Sequence, residues 1–140
     1  MVGMNETPLP TEGRSMKPET TARPATTAGD SPVTEELIRQ MVVVLTQEIS
    51  PEAIILFGSH ATGQARPDSD IDLLVIEAAP FGAGRDRRKE MARLWQSLAR
   101  FPVAKDILLY SREEVNRWRN ARNHIIARAL REGRLLYGQL

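Results

Sequence analysis

The chain alternates between stretches where apolar residues recur and stretches where they vanish. From Thr34 onward, Leu37, Met41, Val44 and Leu45 recur at helical spacing behind two acids, Glu35 and Glu36, which suit a helix N-terminus. Ser31 or Thr34 supplies the cap and Pro51 the stop, which predicts a helix of about four turns. "EAIILFG" is a continuous apolar run ended by Gly58, and "DIDLLVIEA" is a second, so both read as strands buried on both faces. "RRKEMARLWQSLARF" returns to the helical period, with Met91, Leu94, Trp95 and Leu98 on one stripe. Pro102 ends that helix before a third strand, "VAKDILLY". Ser111 and Glu114 then form a capping box ahead of a helical segment that has a break near Asn120 and ends at Gly133. "RLLYG" closes the series as a short strand. The order is helix, strand, strand, helix, strand, helix, strand. It predicts a small α/β (α+β) domain: a mixed sheet with helices packed mainly on one side.

Residues 1–31 break the pattern. They are rich in Thr, Pro and Gly and nearly free of large apolar side chains, so they cannot offset their ordering entropy and read as a disordered tail before a domain over 32–140. The 19 basic and 18 acidic side chains leave a net charge of +1, which makes nucleic acid an unlikely partner. There is no cysteine, which excludes disulfides, thiolate metal sites and Cys nucleophiles. No apolar run is long enough to cross a bilayer and no targeting segment is evident. A soluble, cytoplasmic protein is the expectation.

Chemistry concentrates in "LFGSHATGQARPDSDIDLLVI", residues 56–76. Asp70 and Asp72 are two apart at a strand entrance, so their carboxylates share a face and repel unless a cation lies between them. Hard oxygen donors at this spacing suit Mg²⁺ or Mn²⁺, although an isolated pair of this kind is more often a solvated strand end. Gly58 permits a close backbone approach and Ser59 offers a hydroxyl to a phosphate. Asp106 lies inside "VAKDILLY", where a buried carboxylate needs a partner. Two other motifs fail. Gly58 and Gly63 have P-loop spacing, but Gln64 and Ala65 stand where Lys and Ser/Thr are required. "DSDID" starts like a calcium loop, yet Leu73 replaces its Gly and Ala79 its Glu. His60 and Arg66 flank the motif as exposed loop residues within reach of a phosphate, and Lys105 points away from Asp106 along a regular strand.

The composite of Gly-Ser, ten residues, Asp-x-Asp and a later strand Asp resembles the signature of the DNA polymerase β-type nucleotidyltransferase superfamily, and the chain length resembles its minimal nucleotidyltransferase (MNT) branch. The resemblance covers about residues 33–138 and implies that fold. It also implies that Asp70 and Asp72 bind metal and nucleotide triphosphate, and that Asp106 is the third metal-binding carboxylate. Gly58 and Ser59 would hold the triphosphate. The implied cofactors are two Mg²⁺ ions (or Mn²⁺), with ATP as substrate. The implied function is transfer of AMP to a hydroxyl, in the MNT branch a tyrosine of a HEPN toxin, which makes the protein an antitoxin. Two alternatives stay open: an aminoglycoside-type small-molecule nucleotidyltransferase, and a non-catalytic module that neutralises a partner by docking. "RNARNH", residues 119–124, has the Arg-x4-His form of HEPN ribonucleases but lacks room for their helical bundle. The outer faces of "RRKEMARLWQSLAR" and "RWRNARNHIIARALR" are basic, and are solvated surfaces or a docking face for an acidic partner.

Overall fold

The structure is a computed structural model and describes residues 33–140; the expected tail over 1–31 lies outside the described residues. Helix α1 (Glu35–Glu48) starts at Thr34, whose hydroxyl accepts from the Leu37 N–H at 3.0 Å, a cap that stabilises by about 1 kcal/mol. Its inner face buries Ile38, Met41, Val42, Val44 and Leu45. Strand β1 (Ala53–Phe57) follows, buried throughout, and then a single helical turn, α2 (Ser59–Thr62). Strand β2 (Ile71–Glu77), helix α3 (Arg87–Ser97) and strand β3 (Lys105–Ser111) complete the first half of the expected order. The last helical segment is two helices, α4 (Arg112–Trp118) and α5 (Ile125–Glu132), before strand β4 (Arg134–Gly138).

The sheet order is β3-β2-β1-β4. β1 pairs antiparallel with β2 and β4, and β2 pairs parallel with β3, so the sheet is mixed as expected. Alternation sorts the side chains onto two faces. Ile54, Leu56, Ile71, Leu73, Val75, Ile107 and Leu109 meet α1, α3 and Phe101 in the larger core. Ala53, Ile55, Phe57, Leu74 and Ile76 meet Val115 of α4 and Ile126 and Ala129 of α5 in a smaller one. That second face is covered only in part, and this decides where the site lies.

One expectation is corrected and one is met. Trp95 is 37% exposed although its helical stripe predicts burial: Leu94 and Leu98 form the buried seam and Trp95 is left at its flank. The break near Asn120 is a real one, and it joins α4 to α5 by stacking. The Trp118 and His124 rings lie 4.4 Å apart at 11°, and His124 Nδ1 caps α5 by accepting from the Ile126 N–H at 3.1 Å. Arg119 donates to Asn116 Oδ1 at 3.2 Å. The Arg-x4-His residues are therefore used to build a helix corner. Among the described residues no helix is long and apolar enough to cross a membrane.

At the far end of β2, Glu77 is only 8% exposed and shares Arg85 with Glu90, at 3.0 and 2.9 Å. Burial, then the hydrogen bond and charge of Glu90, push the Glu77 carboxyl up to about 7. Burial also pulls Glu90 upward, but the Glu77 hydrogen bond and the Arg85 guanidinium outweigh it and hold it below its usual value. Glu77 is thus the proton carrier of the pair. A folded value above the unfolded 4.5 means that stability is lost as pH rises from about 4.5 through about 7. Thermal melts between pH 5 and 8 are expected to show that fall. Glu77→Gln, which keeps a hydrogen-bond donor without the charge, should flatten it by about 1–3 kcal/mol at pH 8. An unchanged slope in this variant would remove Glu77 from the account.

Candidate active site

β1 ends at Phe57 because Gly58 turns the chain with φ 75° and ψ −157°, a backbone region open essentially to glycine alone. The turn feeds α2, where the Ala61 and Thr62 N–H groups return to the Gly58 carbonyl at 3.0 and 3.2 Å. Residues 63–70 then lead back to β2. Ser69 Oγ accepts from the Arg66 N–H at 2.8 Å, and the Ser69 N–H returns to the Arg66 carbonyl at 3.0 Å. His60 Nε2 lies 3.1 Å from the Ser69 carbonyl and donates to it. His60, expected as an exposed loop residue within reach of a phosphate, is half-buried and ties α2 to the residue before Asp70.

Strand pairing brings the acids together. Asp72 is the register partner of Phe57 on one side and of Asp106 on the other. Asp72 shares its face with Leu74 and Ile76, and Asp106 shares its face with Leu108 and Tyr110. Both therefore stand on the α4/α5 face, at the strand starts that those helices leave open. Asp70 and Asp72 are half-buried and Asp106 is exposed. This corrects the expectation that Asp106 is a buried carboxylate. β3 is an edge strand covered mainly on its α1/α3 face, so its opposite face meets solvent at the start.

The Asp72 carboxyl is pushed up to about 7, first by burial, then by the charge of Asp106, then by that of Asp70. Every contribution is unfavourable to its anion, and none comes from a cation. Sequence reasoning assigned Gly58 to a phosphate approach, but its nearest neighbour is Asp72. A Cβ added at 58 would overlap Asp72 Oδ2 and stand 3.2 Å from its Cγ. Ser59 is half-buried beside it in the first turn of α2. Lys105 turns its ammonium onto the Phe101 and Val103 carbonyls at 3.0 and 3.1 Å, and burial lowers its pKa. It buttresses the entry to β3 and stays away from the acids. Arg66 is exposed on the loop.

Hard carboxylate oxygens beside a repelled, partly desolvated Asp72 fit a divalent cation in donor chemistry. Among the described residues, however, no three His, Asp or Glu side chains form a ready-made metal site. The chain's acids would hold such an ion only together with oxygens from elsewhere, and a nucleotide's phosphates are of that kind.

The sequence profile of the family described as polymerase β nucleotidyltransferase matches residues 39–139. No curated protein matches the chain. Among solved structures, a mutant of the toxin–antitoxin MntA-HpeT aligns at TM-score 0.53 and 20% identity, covering 73% of this chain and 72% of that one. The tri-AMPylated Shewanella oneidensis HEPN toxin in complex with MNT antitoxin aligns at TM-score 0.51 and 18% identity, covering 75% and 72%. At these identities the likeness is one of fold. The profile match spans nearly all of the described fold, and the chain belongs to the polymerase β nucleotidyltransferase family.

Proposed function

We propose that the protein transfers AMP from ATP to a protein hydroxyl, a tyrosine of a HEPN-type toxin, and acts as that toxin's antitoxin. The observation that carries the reading is Asp72, set against Asp106 by strand register and pressed toward its neutral form by burial, then by Asp106 and Asp70. A site built this way is completed by a cation, and the divalent ion that accompanies a nucleoside triphosphate is one. The toxin–antitoxin assemblies whose fold this chain shares support the choice of acceptor. ATP chemistry without cysteine suits the cytoplasm.

In this mechanism Asp70, Asp72 and Asp106, with phosphate oxygens of the nucleotide, would hold Mg²⁺, and Gly58 and Ser59 would face the triphosphate. When bound, the ion would supply positive charge that offsets charge developing on the phosphate oxygens. The acceptor oxygen attacks the α-phosphorus in line, and its proton passes to a carboxylate oxygen of Asp106. The bond from the α-phosphorus to the bridging oxygen breaks, and pyrophosphate leaves with the electron pair. Asp106 suits the proton transfer because it is exposed toward an incoming acceptor, whereas Asp72 is enclosed between Gly58 and its acidic neighbours.

The test is incubation with labelled ATP, Mg²⁺ and acceptor, with the mass shift of an AMP group as readout. Asp106→Asn is the informative variant. Its exposed position means the fold should tolerate the change, and ATP should still bind by calorimetry. Transfer should fall about a hundredfold or more, the scale of losing a positioned base or ligand. Transfer at the parental rate would return Asp106 to a strand-edge role and leave the docking-module alternative standing.

A further inference from the structure

Charge is distributed unevenly along the chain. Residues 115–131 hold five arginines and no acidic residue, in a chain whose net charge is only +1. Elsewhere most guanidiniums of the described residues are paired with carboxylates, among them Arg85 with Glu77 and Glu90, Arg87 with Glu114 and Arg112 with Glu52; Arg66, Arg88 and Arg100 are single exceptions on other elements. Among the described residues, Arg117, Arg122, Arg128 and Arg131 have no carboxylate partner, and Arg119 meets only the Asn116 amide oxygen. All five are exposed. Between Arg117 and Arg119 in sequence, Trp118 is 39% exposed, with one ring face stacked on His124, so its position is set before anything binds. Keeping like charges together without partners costs stability, and a large aromatic left in water adds to that cost.

The surface stands on the same side of the sheet as the acids. α4 and α5 cover Leu74 and Ile76, and Asp72 and Asp106 open on that face beside them. α5 also runs toward the site: Gly133, just past its end, packs against Ile55 and Leu56 near the end of β1.

We propose that the α4–α5 surface, Arg117, Trp118, Arg119, Arg122, Arg128 and Arg131, is a docking face for an acidic protein surface, which it holds with a hydroxyl turned toward the three aspartates. This rests on the proposed function only for what happens to that hydroxyl. Guanidiniums pair bidentately with carboxylates, and a preset tryptophan among exposed arginines has the composition of an interface centre. A continuous phosphate backbone fits less well. It would have to pass the aspartates on the same face, and the net charge offers it no long-range attraction.

The probe is a labelled glutamate–tyrosine copolymer, titrated with the full chain without ATP and followed by fluorescence anisotropy. Binding is expected, weakening with salt. The double reversal Arg128→Glu with Arg131→Glu should weaken it about tenfold or more, and Trp118→Ala should weaken it as well. Arg88→Glu, on α3 at the opposite face, should leave it unchanged, and calorimetric ATP binding should be the same in all variants. An equal loss from Arg88→Glu would reduce the effect to net charge and overturn the proposal. So would oligouridine binding where the copolymer does not. Transfer from ATP to the copolymer is read separately. Binding without transfer would sink the catalytic reading alone, while transfer to a small hydroxyl with no copolymer binding would sink the docking face alone.

Discussion

Asp72→Asn is expected to abolish nucleotidyl transfer and, in the same molecule, to stabilise the nucleotide-free protein. The two effects have one cause. Burial first, then the charges of Asp106 and Asp70, press the Asp72 carboxyl toward the protonated form, up to about 7. Asparagine keeps the shape and removes the charge, so the repulsion that the empty site carries is relieved. Relief should amount to about 1–2 kcal/mol at pH 8, read as a higher midpoint in urea or heat. The sign carries a pH signature. The folded value lies above the unfolded 3.8, so the parental protein loses this contribution as pH rises through about 7, and the variant does not. The gain should therefore be small near pH 5 and full near pH 8. Transfer should fall about a thousandfold or more, since the lost anion is the one best placed to meet a cation between the strands. A variant that loses stability, or that still transfers, would rule out a charge-strained catalytic Asp72.

Gly58→Ala should damage both fold and activity. Its backbone conformation admits a side chain only at a cost of about 1–3 kcal/mol. The new Cβ would also occupy the space of Asp72 Oδ2, so the carboxylate must move. A displacement of about 1 Å in a reacting group can cost a hundredfold in rate, which is the expected loss of transfer. A second background separates the two effects. In Asp72→Ala the obstructing carboxylate is gone and only the backbone cost remains, so Gly58→Ala should destabilise less there. Equal destabilisation in both backgrounds would show that position 58 does not press on Asp72.

The elements themselves were readable because each carries a local signal. Thr34, Ser111 and the apolar spacing of α1 are local, and so are the unbroken apolar runs of β1 and β2. Trp95 was misread because periodicity locates a stripe without saying how wide a neighbour will cover it. Asp106 was misread as buried because an apolar run does not reveal whether its strand is central or at an edge. His60 carried no signal, since its partner is a backbone carbonyl nine residues away and any residue supplies one.

By itself, the sequence determined the mixed α/β character, the two aspartates sharing one face, and the glycine at the end of β1. All of these follow from periods of two and 3.6 residues and from the backbone freedom of glycine. Only the tertiary structure decided that β3 lies parallel beside β2 in the register that sets Asp106 against Asp72. It alone pressed Asp72 onto Gly58, and it placed the α4–α5 arginines on the side of the sheet that holds the acids. Pairing between strands about thirty residues apart is chosen by the whole core at once, because each register buries a different set of side chains. No short window of sequence contains that comparison.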